Sequence, residues 1–298
     1  MSSSLLPAAL LILAAVAAAT GEPDECPTKC GDVDIPYPFG IGARCSRGKD
    51  FEISCINNGS TAVLQSDAHT MQVTSLSVVP PLAKVMLPVA YKCYDSHGYP
   101  VKESNGRVEL WSHRMFRISD TRNTFVVLGC NTGAYTMNSG GGGGGRYAFQ
   151  YYMGCFTYCR GPGSPQDGRC ASVGCCHVDI PPGLADNAVH FESWPHNGME
   201  YSPCDIAFLV AKDSYEFRAS DLRMDVARSS MPVWLDWAMS RHGGSLSSCA
   251  SVKDSSEYAC ESPNSECVDS INGPGYFCRC KQGFQGNPYD DENGCTGT

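Results

Sequence analysis

Eighteen cysteines in a chain of 298 residues constrain this protein more than any other feature of its sequence. The number is even, and cysteines at this density pair into disulfides in secretory compartments, whereas a reducing cytosol keeps them as thiols. The sequence contains no C-x-x-C pair, so a redox role is not favoured. We therefore predict an extracellular protein whose fold is held together by disulfide bonds.

Residues 1–19 have the pattern of a secretory signal peptide. An apolar run from Leu5 to Ala19 is broken only by Pro7 and ends in small residues. Because a membrane-spanning helix needs roughly 20 apolar residues, we expect cleavage of this segment rather than an uncleaved anchor. Later in the sequence, no segment reaches 18 uninterrupted apolar residues. We expect the mature chain to have no membrane span.

The charge balance argues against nucleic acid as a partner. The chain has 22 Lys and Arg against 31 Asp and Glu, a formal net charge of -9. Binding to a phosphate backbone requires a basic surface, which this balance does not favour. Any anionic ligand would have to be held by a local cluster of Lys and Arg.

The cysteines fall into two groups, which predicts two structural units. Twelve lie between Cys26 and Cys204, and six lie between Cys249 and Cys295. The small polar stretch 243–248 has the composition of a linker between these units. The glycine run 140–145 is predicted to be a surface loop inside the larger unit, because cysteines and strand-like segments flank it closely.

The larger unit is predicted to consist mainly of strands. Runs of β-branched and aromatic residues bounded by Gly, Pro and Asn occur at 73–79, 107–111, 124–128 and 207–210, the last being the most apolar. The segment Val233–Met239 fits a short helix or a buried strand, and its periodicity does not distinguish them. The predicted fold class is therefore mainly β and disulfide-rich.

The last six cysteines resemble those of an EGF-like domain, assigned to residues 249–295. Six cysteines permit fifteen pairings, but the C-x-C step before Lys281-Gln282-Gly283-Phe284 is specific to such domains. The resemblance implies the bonds Cys249–Cys267, Cys260–Cys278 and Cys280–Cys295. The residues just before Cys249 include no carboxylate, so we expect no calcium site in this module.

The amino-terminal half resembles the galacturonan-binding module of plant wall-associated receptor kinases. The resemblance rests on the turn-rich stretch 26–42 and on 125–135, which fits the end of that module. Further segments are similar to the cysteine-rich region that follows it, namely 154–159, 174–184, 203–210 and 231–238. The resemblance implies a galacturonan-binding-like module at 22–135 and a cysteine-rich segment at 136–242 packed with it.

The resemblance implies non-catalytic binding of pectic galacturonan by a secreted protein of the cell wall. Such a protein acts as the ectodomain of a wall-associated receptor or as a soluble receptor-like form. The sequence has no H-R-D, D-F-G or V-A-I-K stretch, so kinase activity is not carried over, and we expect no cofactor. A fragment of a full receptor kinase remains an open alternative.

Galacturonan carries one carboxylate per sugar, so its site should contain several Lys or Arg. Four such residues are close together in sequence, and acidic neighbours could neutralise them: Lys29, Arg44, Arg47 and Lys49. Tyr37 and Phe39 are candidate sugar platforms, although a core position is favoured for both. Arg114, Arg117 and Arg122 form a second candidate cluster.

A glycosylation sequon, Asn58-Gly59-Ser60, predicts an exposed loop beside Cys55.

Two other functional classes compete with polysaccharide binding. Catalysis is not favoured, because the sequence has no G-x-S-x-G or H-E-x-x-H motif and its seven histidines show no ligand-like pairing. The alternative is a protein-interaction ectodomain. Its EGF-like and cysteine-rich surfaces would dock on a membrane receptor kinase or on another extracellular protein.

Overall fold

The computed structural model describes residues 26–65, 70–110, 115–138, 150–226, 229–240, 248–292 and 294–298. The predicted signal peptide, the glycine run 140–145 and residues 243–247 of the predicted linker lie outside the described residues. Within these ranges, no helix has the length and apolar character that crossing a membrane would require.

The described residues form mainly β-strands, which confirms the predicted fold class. Strands β1 to β12 are Lys29–Cys30, Val33–Asp34, Gly40–Ile41, Glu52–Ile56, Thr61–Gln65, Thr70–Ser77, Leu82–Pro88, Ala90–Tyr94, Pro100–Ser104, Val108–Glu109, Phe116–Ile118 and Asn123–Leu128. Strands β13 to β23 are Thr132–Asn138, Tyr151–Thr157, Cys175–Asp179, Asp186–Asn187, His190–Phe191, Cys204–Ala211, Ser230–Trp237, Ser265–Asp269, Tyr276–Cys280, Phe284–Gln285 and Thr296–Gly297. Short 3₁₀ helices occur at Lys49–Phe51 and Ala219–Arg223, and a single-turn helix α1 at Cys249–Val252.

Two large sheets form the body of the larger unit. The seven-stranded sheet has the order β11-β19-β7-β6-β5-β4-β3, and the five-stranded sheet has the order β15-β12-β18-β8-β9. Strand β19 covers most of Val233–Met239, so this segment is a strand and not a helix. It pairs antiparallel with β7, with Val233 opposite Val85. Tertiary pairing thus decides a conformation that the local sequence left open.

The central strand of the five-stranded sheet, β18, is buried on both faces, which explains its apolar run. All eight residues of this strand are buried. Leu209 belongs to the main hydrophobic core between the sheets, whereas Phe208 belongs to a second core with Phe217 and Leu222. A strand covered on both faces loses the alternation of polar and apolar residues.

Strands from the segments 22–135 and 136–242 alternate within both large sheets. Strand β19 lies between β11 and β7, and β18 lies between β12 and β8. The two segments therefore share their hydrophobic core instead of forming separate bodies. The bond Cys93–Cys204 joins them across adjacent strands.

Nine disulfides pair all eighteen cysteines. In the larger unit they are Cys26–Cys45, Cys30–Cys55, Cys93–Cys204, Cys130–Cys159, Cys155–Cys176 and Cys170–Cys175. The adjacent Cys175 and Cys176 thus have separate partners, because a bond between neighbouring cysteines is strained. In the carboxyl-terminal module the bonds are those that the EGF-like resemblance implies.

The predicted EGF-like domain, residues 249–295, packs directly against the body through a mixed polar and aromatic interface, and we call it the EGF-like module below. Met239 and Tyr276 form an antiparallel bridge with N–H···O distances of 2.6 and 3.1 Å. The rings of Trp237 and Tyr289 lie 5.5 Å apart, and both side chains are almost fully buried. The module is therefore docked on the body through its own core residues.

Asn272 fixes the same interface from the side of the EGF-like module. Its buried amide nitrogen donates to the carbonyl of Ile118 at 3.0 Å and to Asp236 at 2.7 Å. Its amide oxygen accepts from the backbone N–H of Gly183 at 2.7 Å. One side chain thus satisfies three polar groups of the body.

Candidate functional site

The predicted cationic residues lie in the turn-rich segment around β3, where the EGF-like module meets the body. The bond Cys26–Cys45 closes this segment. Phe39 lies beneath it and is 1% exposed, with its ring 5.2 Å from Trp237 and 5.4 Å from Phe51. Phe39 is a core residue whose faces are covered, so it leaves no surface on which a sugar could stack.

Arg47 connects the body to the EGF-like module. Its guanidinium donates to Glu261 at 2.6 Å and to the carbonyl of Tyr258 at 3.2 Å, both in that module. It also reaches the hydroxyl of Tyr37 at 3.4 Å. Burial lowers the pKa of Arg47, but the hydrogen bonds to Glu261 and Tyr37 outweigh this effect and raise it. These contacts satisfy the charge of Arg47 within the protein.

Tyr37 is half-buried beside Arg47 and is also held by the EGF-like module. Its backbone carbonyl accepts a hydrogen bond of 2.6 Å from the side chain of Asn287. Tyr37, a predicted sugar platform, is therefore part of the interface between the two units.

Lys29 and Arg44 lie on the outer side of this region. Lys29 forms an ion pair of 2.9 Å with Asp34, and both side chains are well exposed. Arg44 is exposed and lines a cleft of about 680 Å³, which we call the Arg44 cleft. The EGF-like module contributes three carboxylates to the lining of this cleft, namely Glu261, Asp290 and Asp291.

Lys49 is exposed at the edge of a second cleft between the two units, of about 390 Å³, which we call the Lys49 cleft. The body contributes Arg47, Lys49 and Asp50 to its wall, and the EGF-like module contributes Glu257 and Tyr276. The four predicted cations are thus close in space but do not form one open basic face. Carboxylates from both units lie among them, and Arg44 and Lys49 are exposed at the two clefts.

The second predicted cluster is not assembled as a surface. Arg114 lies outside the described residues. Arg117 is 7% exposed, donates to the carbonyl of Phe116 at 2.7 Å, and lies under Gly273 of the EGF-like module. Arg122 is exposed on the turn before β12.

Arg122 contributes instead to a basic and aromatic cluster that no local sequence pattern indicates. The ring of Trp234 has the ammonium of Lys84 at 5.0 Å and the guanidinium of Arg122 at 5.9 Å from its centroid. Lys84 and Trp234 are direct cross-strand partners in β7 and β19. Because these residues are far apart in sequence, only the strand pairing reveals the cluster.

A buried polar network also escaped the sequence analysis. Asp205 accepts hydrogen bonds from Thr132 at 2.5 Å, from His196 at 2.8 Å and from Tyr94 at 2.7 Å. The second ring nitrogen of His196 contacts the carbonyl of Trp194 at 2.8 Å. Burial lowers the pKa of His196, but the hydrogen bond and charge of Asp205 outweigh it and raise this pKa.

Asn58 lies in the exposed turn between β4 and β5, beside the Cys30–Cys55 bond. Its φ of 56° belongs to the left-handed region, which asparagine tolerates better than most residues. Among the residues that the structure describes, no group of three or more His, Cys, Asp or Glu could hold a metal ion.

Comparison with known proteins gives this region a family context. A family described as "Wall-associated receptor kinase galacturonan-binding" matches residues 26–79, which include the segment with Arg44, Arg47 and Lys49. The chain is also 32% identical to wall-associated receptor kinase 2 of Arabidopsis thaliana over 302 aligned positions, covering 99% of this chain and 37% of that protein. This chain is related to the wall-associated receptor kinases.

Further members of this group give the same result. Identity to wall-associated receptor kinase 4 of Arabidopsis thaliana is 31%, covering 91% of this chain and 34% of that protein. Identity to wall-associated receptor kinase 1 is 30%, covering 92% and 35% respectively. The chain thus spans about a third of the length of these relatives. No solved structure matches it.

Proposed function

We propose that this chain is a secreted, non-catalytic binding protein for pectic galacturonan, acting as a wall-associated receptor ectodomain or as a soluble receptor-like form. The observation that carries the proposal is the galacturonan-binding family match over residues 26–79, a range that contains the exposed Arg44 and Lys49. These two side chains would contact polymer carboxylates at the outer rims of the Arg44 and Lys49 clefts.

Such a surface would bind weakly at each contact and gain affinity through repetition. An exposed ion pair contributes only about 0–1 kcal/mol. Several contacts along one polymer raise the overall affinity by multivalency. The carboxylates of Asp290 and Asp291 in the Arg44 cleft would repel a polyanion that entered it, which favours contact along the rims. Binding would weaken as salt screens these charges.

Retention on polygalacturonate tests the proposal. Replacing Arg44 and Lys49 together by Gln should lower the affinity by up to about thirtyfold, because two exposed ion pairs of at most about 1 kcal/mol each are lost. Lys253→Gln with Lys281→Gln is the matched control, since it removes two exposed positive charges from the EGF-like module. Equal retention of both double variants would contradict the assigned contacts, and no retention of the wild type would contradict the function itself.

Secretion and the absence of catalysis are separate parts of the proposal. Amino-terminal sequencing of secreted material should show that residues 1–19 have been removed. Incubation with polygalacturonate should release no new reducing ends. A sustained increase in reducing ends with purified protein would identify an enzyme and overturn the non-catalytic assignment.

Docking on another extracellular protein is the second candidate, and one residue favours it. Ile271 of the EGF-like module is 81% exposed, while its neighbour Asn272 is buried and hydrogen-bonded to the body. The side chain therefore projects from an anchored loop. Capture of a receptor that persists in high salt and is lost in Ile271→Ser would support docking, because salt weakens polyanion binding and not an apolar contact.

A further inference from the structure

An exposed aromatic face lies on the three-stranded sheet, whose strands contain none of the predicted cationic residues. This sheet has the order β14-β13-β17. Its outward side chains come from all three strands and from the segment after β17. We define the aromatic face by five of them: Tyr135, Tyr152, Phe156, His190 and Trp194.

The rings form two groups along the sheet. Tyr135 stacks on His190 at 5.3 Å and meets Tyr152 edge to face at 5.7 Å. Phe156 and Trp194 pair at 6.1 Å. Tyr152 is 73% exposed and Phe156 is 63% exposed, values unusual for large rings that already have aromatic neighbours.

Two glycines separate the rings. Gly154 lies opposite Tyr135 and Gly133 lies opposite Phe156 in the β13–β14 pairing. A Cβ at Gly154 would meet the Tyr135 Cβ at 2.6 Å, and one at Gly133 would lie 3.4 Å from the Trp194 ring. The glycines therefore allow rings to lie close to the backbone. Packing over these glycines explains why the rings of Tyr135 and Trp194 lie there. It does not explain why Tyr152 and Phe156 remain exposed to solvent.

The inner side of the sheet holds the aromatic face in place. Met153 and Thr157 point inward and are buried. Between them, Cys155 is bonded to Cys176 of the five-stranded sheet. The outward residues of β14 thus alternate with residues anchored in the core, so the rings are positioned before a ligand arrives.

The composition of this face selects the kind of ligand. The segments 132–138, 151–157 and 190–194 contain no Lys or Arg, and Glu192 is their one acidic residue. A polyanion gains nothing from such a surface. The tyrosine hydroxyls, the imidazole and the indole N–H surround the rings with polar groups that suit a ligand rich in hydroxyls. Met137 is the only large aliphatic side chain that these strands add to the outward side, whereas a protein interface core is usually more continuous.

We propose that the aromatic face binds uncharged stretches of a wall polysaccharide by stacking pyranose rings on Tyr152 and Phe156. This inference rests on the proposed function and adds a second site to it, one for esterified pectin rather than for free galacturonate. Tyr152 and Phe156 are four residues apart on one strand, about 13 Å, which exceeds the length of a single sugar. The charged and the uncharged segments of one polymer would then contact different parts of the protein.

The experiment compares two polymers and uses two double variants and one single variant. Retention of the full chain is measured on highly methyl-esterified pectin and on de-esterified polygalacturonate, at low and high salt. The variants are Tyr152→Ala with Phe156→Ala, Arg44→Gln with Lys49→Gln, and Tyr99→Ala. Tyr99 is 69% exposed in the turn before β9 and therefore controls for loss of an exposed ring.

The wild type should bind esterified pectin in a manner that salt does not weaken. Loss of the two rings should reduce this binding by about tenfold or more and leave polygalacturonate binding unchanged. Because both rings are largely exposed, thermal unfolding should show that this variant is folded. Tyr99→Ala should behave as the wild type.

Three results would overturn the inference: no retention of the wild type on esterified pectin, retention of the double ring variant within twofold of the wild type, or an equal loss in Tyr99→Ala. The inference would also be overturned if the aromatic face captured a protein, this capture were lost in the double ring variant, and the wild type did not bind the uncharged polymer. The polygalacturonate arm reports on the proposed function separately, so the two failures can be distinguished.

Discussion

The guanidinium of Arg47 joins two positions that are 214 residues apart, because it pairs with Glu261 of the EGF-like module. The sequence places Arg47 among cations suited to a polyanion. In the folded chain its side chain is only 18% exposed, and its hydrogen bonds lie within the protein. Its charge therefore contributes to the contact between the two units more than to a ligand surface.

Replacing Arg47 by Gln should lower the free energy of unfolding by about 1.5–3 kcal/mol, the usual range for a hydrogen bond to a charged group. Urea unfolding measures this change. Arg279→Gln is the matched control, since Arg279 and Glu266 form an ion pair of 2.7 Å with side chains 56% and 41% exposed. It should cost no more than about 1 kcal/mol. Equal effects would show that Arg47 has no special role at the interface.

The pair of His196 and Asp205 should make stability depend on pH. Folding raises the pKa of His196 above its ordinary value of about 6.5. The protonated form is therefore favoured in the folded state, next to Asp205 and Tyr94 and despite the nearby charge of Lys92. This contribution is fully present below pH 6.5 and is lost as the pH rises through the folded pKa.

Thermal unfolding between pH 5.5 and 9 tests this expectation. The wild type should lose stability as the pH rises above about 6.5. His196→Gln should be less stable at low pH and should show a flatter profile over the same interval. His97→Gln, in the exposed turn after β8, is the control and should retain the wild-type profile. Identical profiles for all three proteins would show that His196 does not titrate in this range.

At the scale of elements, β18 is an eight-residue strand whose side chains are buried along its whole length. It lies between β12 and β8, and its side chains fill both hydrophobic cores. A strand covered on both faces has no side chain that can be shortened without leaving a cavity.

Phe208→Ala should therefore destabilise the chain by about 3–5 kcal/mol, the usual cost of removing a buried aromatic ring. Val101→Ala in β9 is the control, because Val101 is 64% exposed and its truncation should change stability by no more than about 0.5 kcal/mol. Unfolding in urea under oxidising conditions compares the two. Similar losses would mean that β18 is less tightly packed than its burial indicates.

The sequence predicted where strands form better than it predicted which strands pair. The apolar run in β18 and the core position favoured for Phe39 follow from the local sequence, and both correspond to buried residues. The pairing of β19 with β7 joins residues about 150 positions apart, and no local pattern records it. For the same reason, the Lys84 and Trp234 contact and the Arg47 and Glu261 pair could not be predicted.

The strand that carries the aromatic face was predictable from the sequence, but the side of the strand that faces solvent was not. Tyr152 and Phe156 alternate with Met153 and Thr157 in sequence, so a strand with two distinct faces was predictable. Which face points outward depends on the bond between Cys155 and Cys176. The sequence alone leaves the pairing of the first twelve cysteines open, so it could not assign the outward side.

At the scale of the whole molecule, the EGF-like module is an integral part of the structure. Tyr276 and Tyr289 belong to the same hydrophobic core as Trp237 of the body. Three disulfide-bonded loops would not provide such a core alone, because a unit of fewer than 50 residues buries too little surface. The contact with the body supplements the three disulfides of this module.

Asn272→Ala should weaken this contact, because it leaves the buried carbonyl of Ile118, the N–H of Gly183 and Asp236 without their partner. We expect a loss of about 1–3 kcal/mol and faster hydrogen exchange along β11. Exchange measured by mass spectrometry compares this variant with Asn264→Ala, which lies in a turn of the EGF-like module. Unchanged protection of β11 in Asn272→Ala would contradict the assigned role of Asn272.

The acidic wall of the Arg44 cleft has a consequence for work on shortened proteins. Glu261, Asp290 and Asp291 all come from the carboxyl-terminal module, as does the ring of Tyr289 that covers Trp237. A truncated product that stops before Cys249 would lack these three carboxylates and would expose the part of the Trp237 ring that Tyr289 covers. Its avidity for acidic polymers would then overstate that of the intact chain, and its selectivity among them would be poorer.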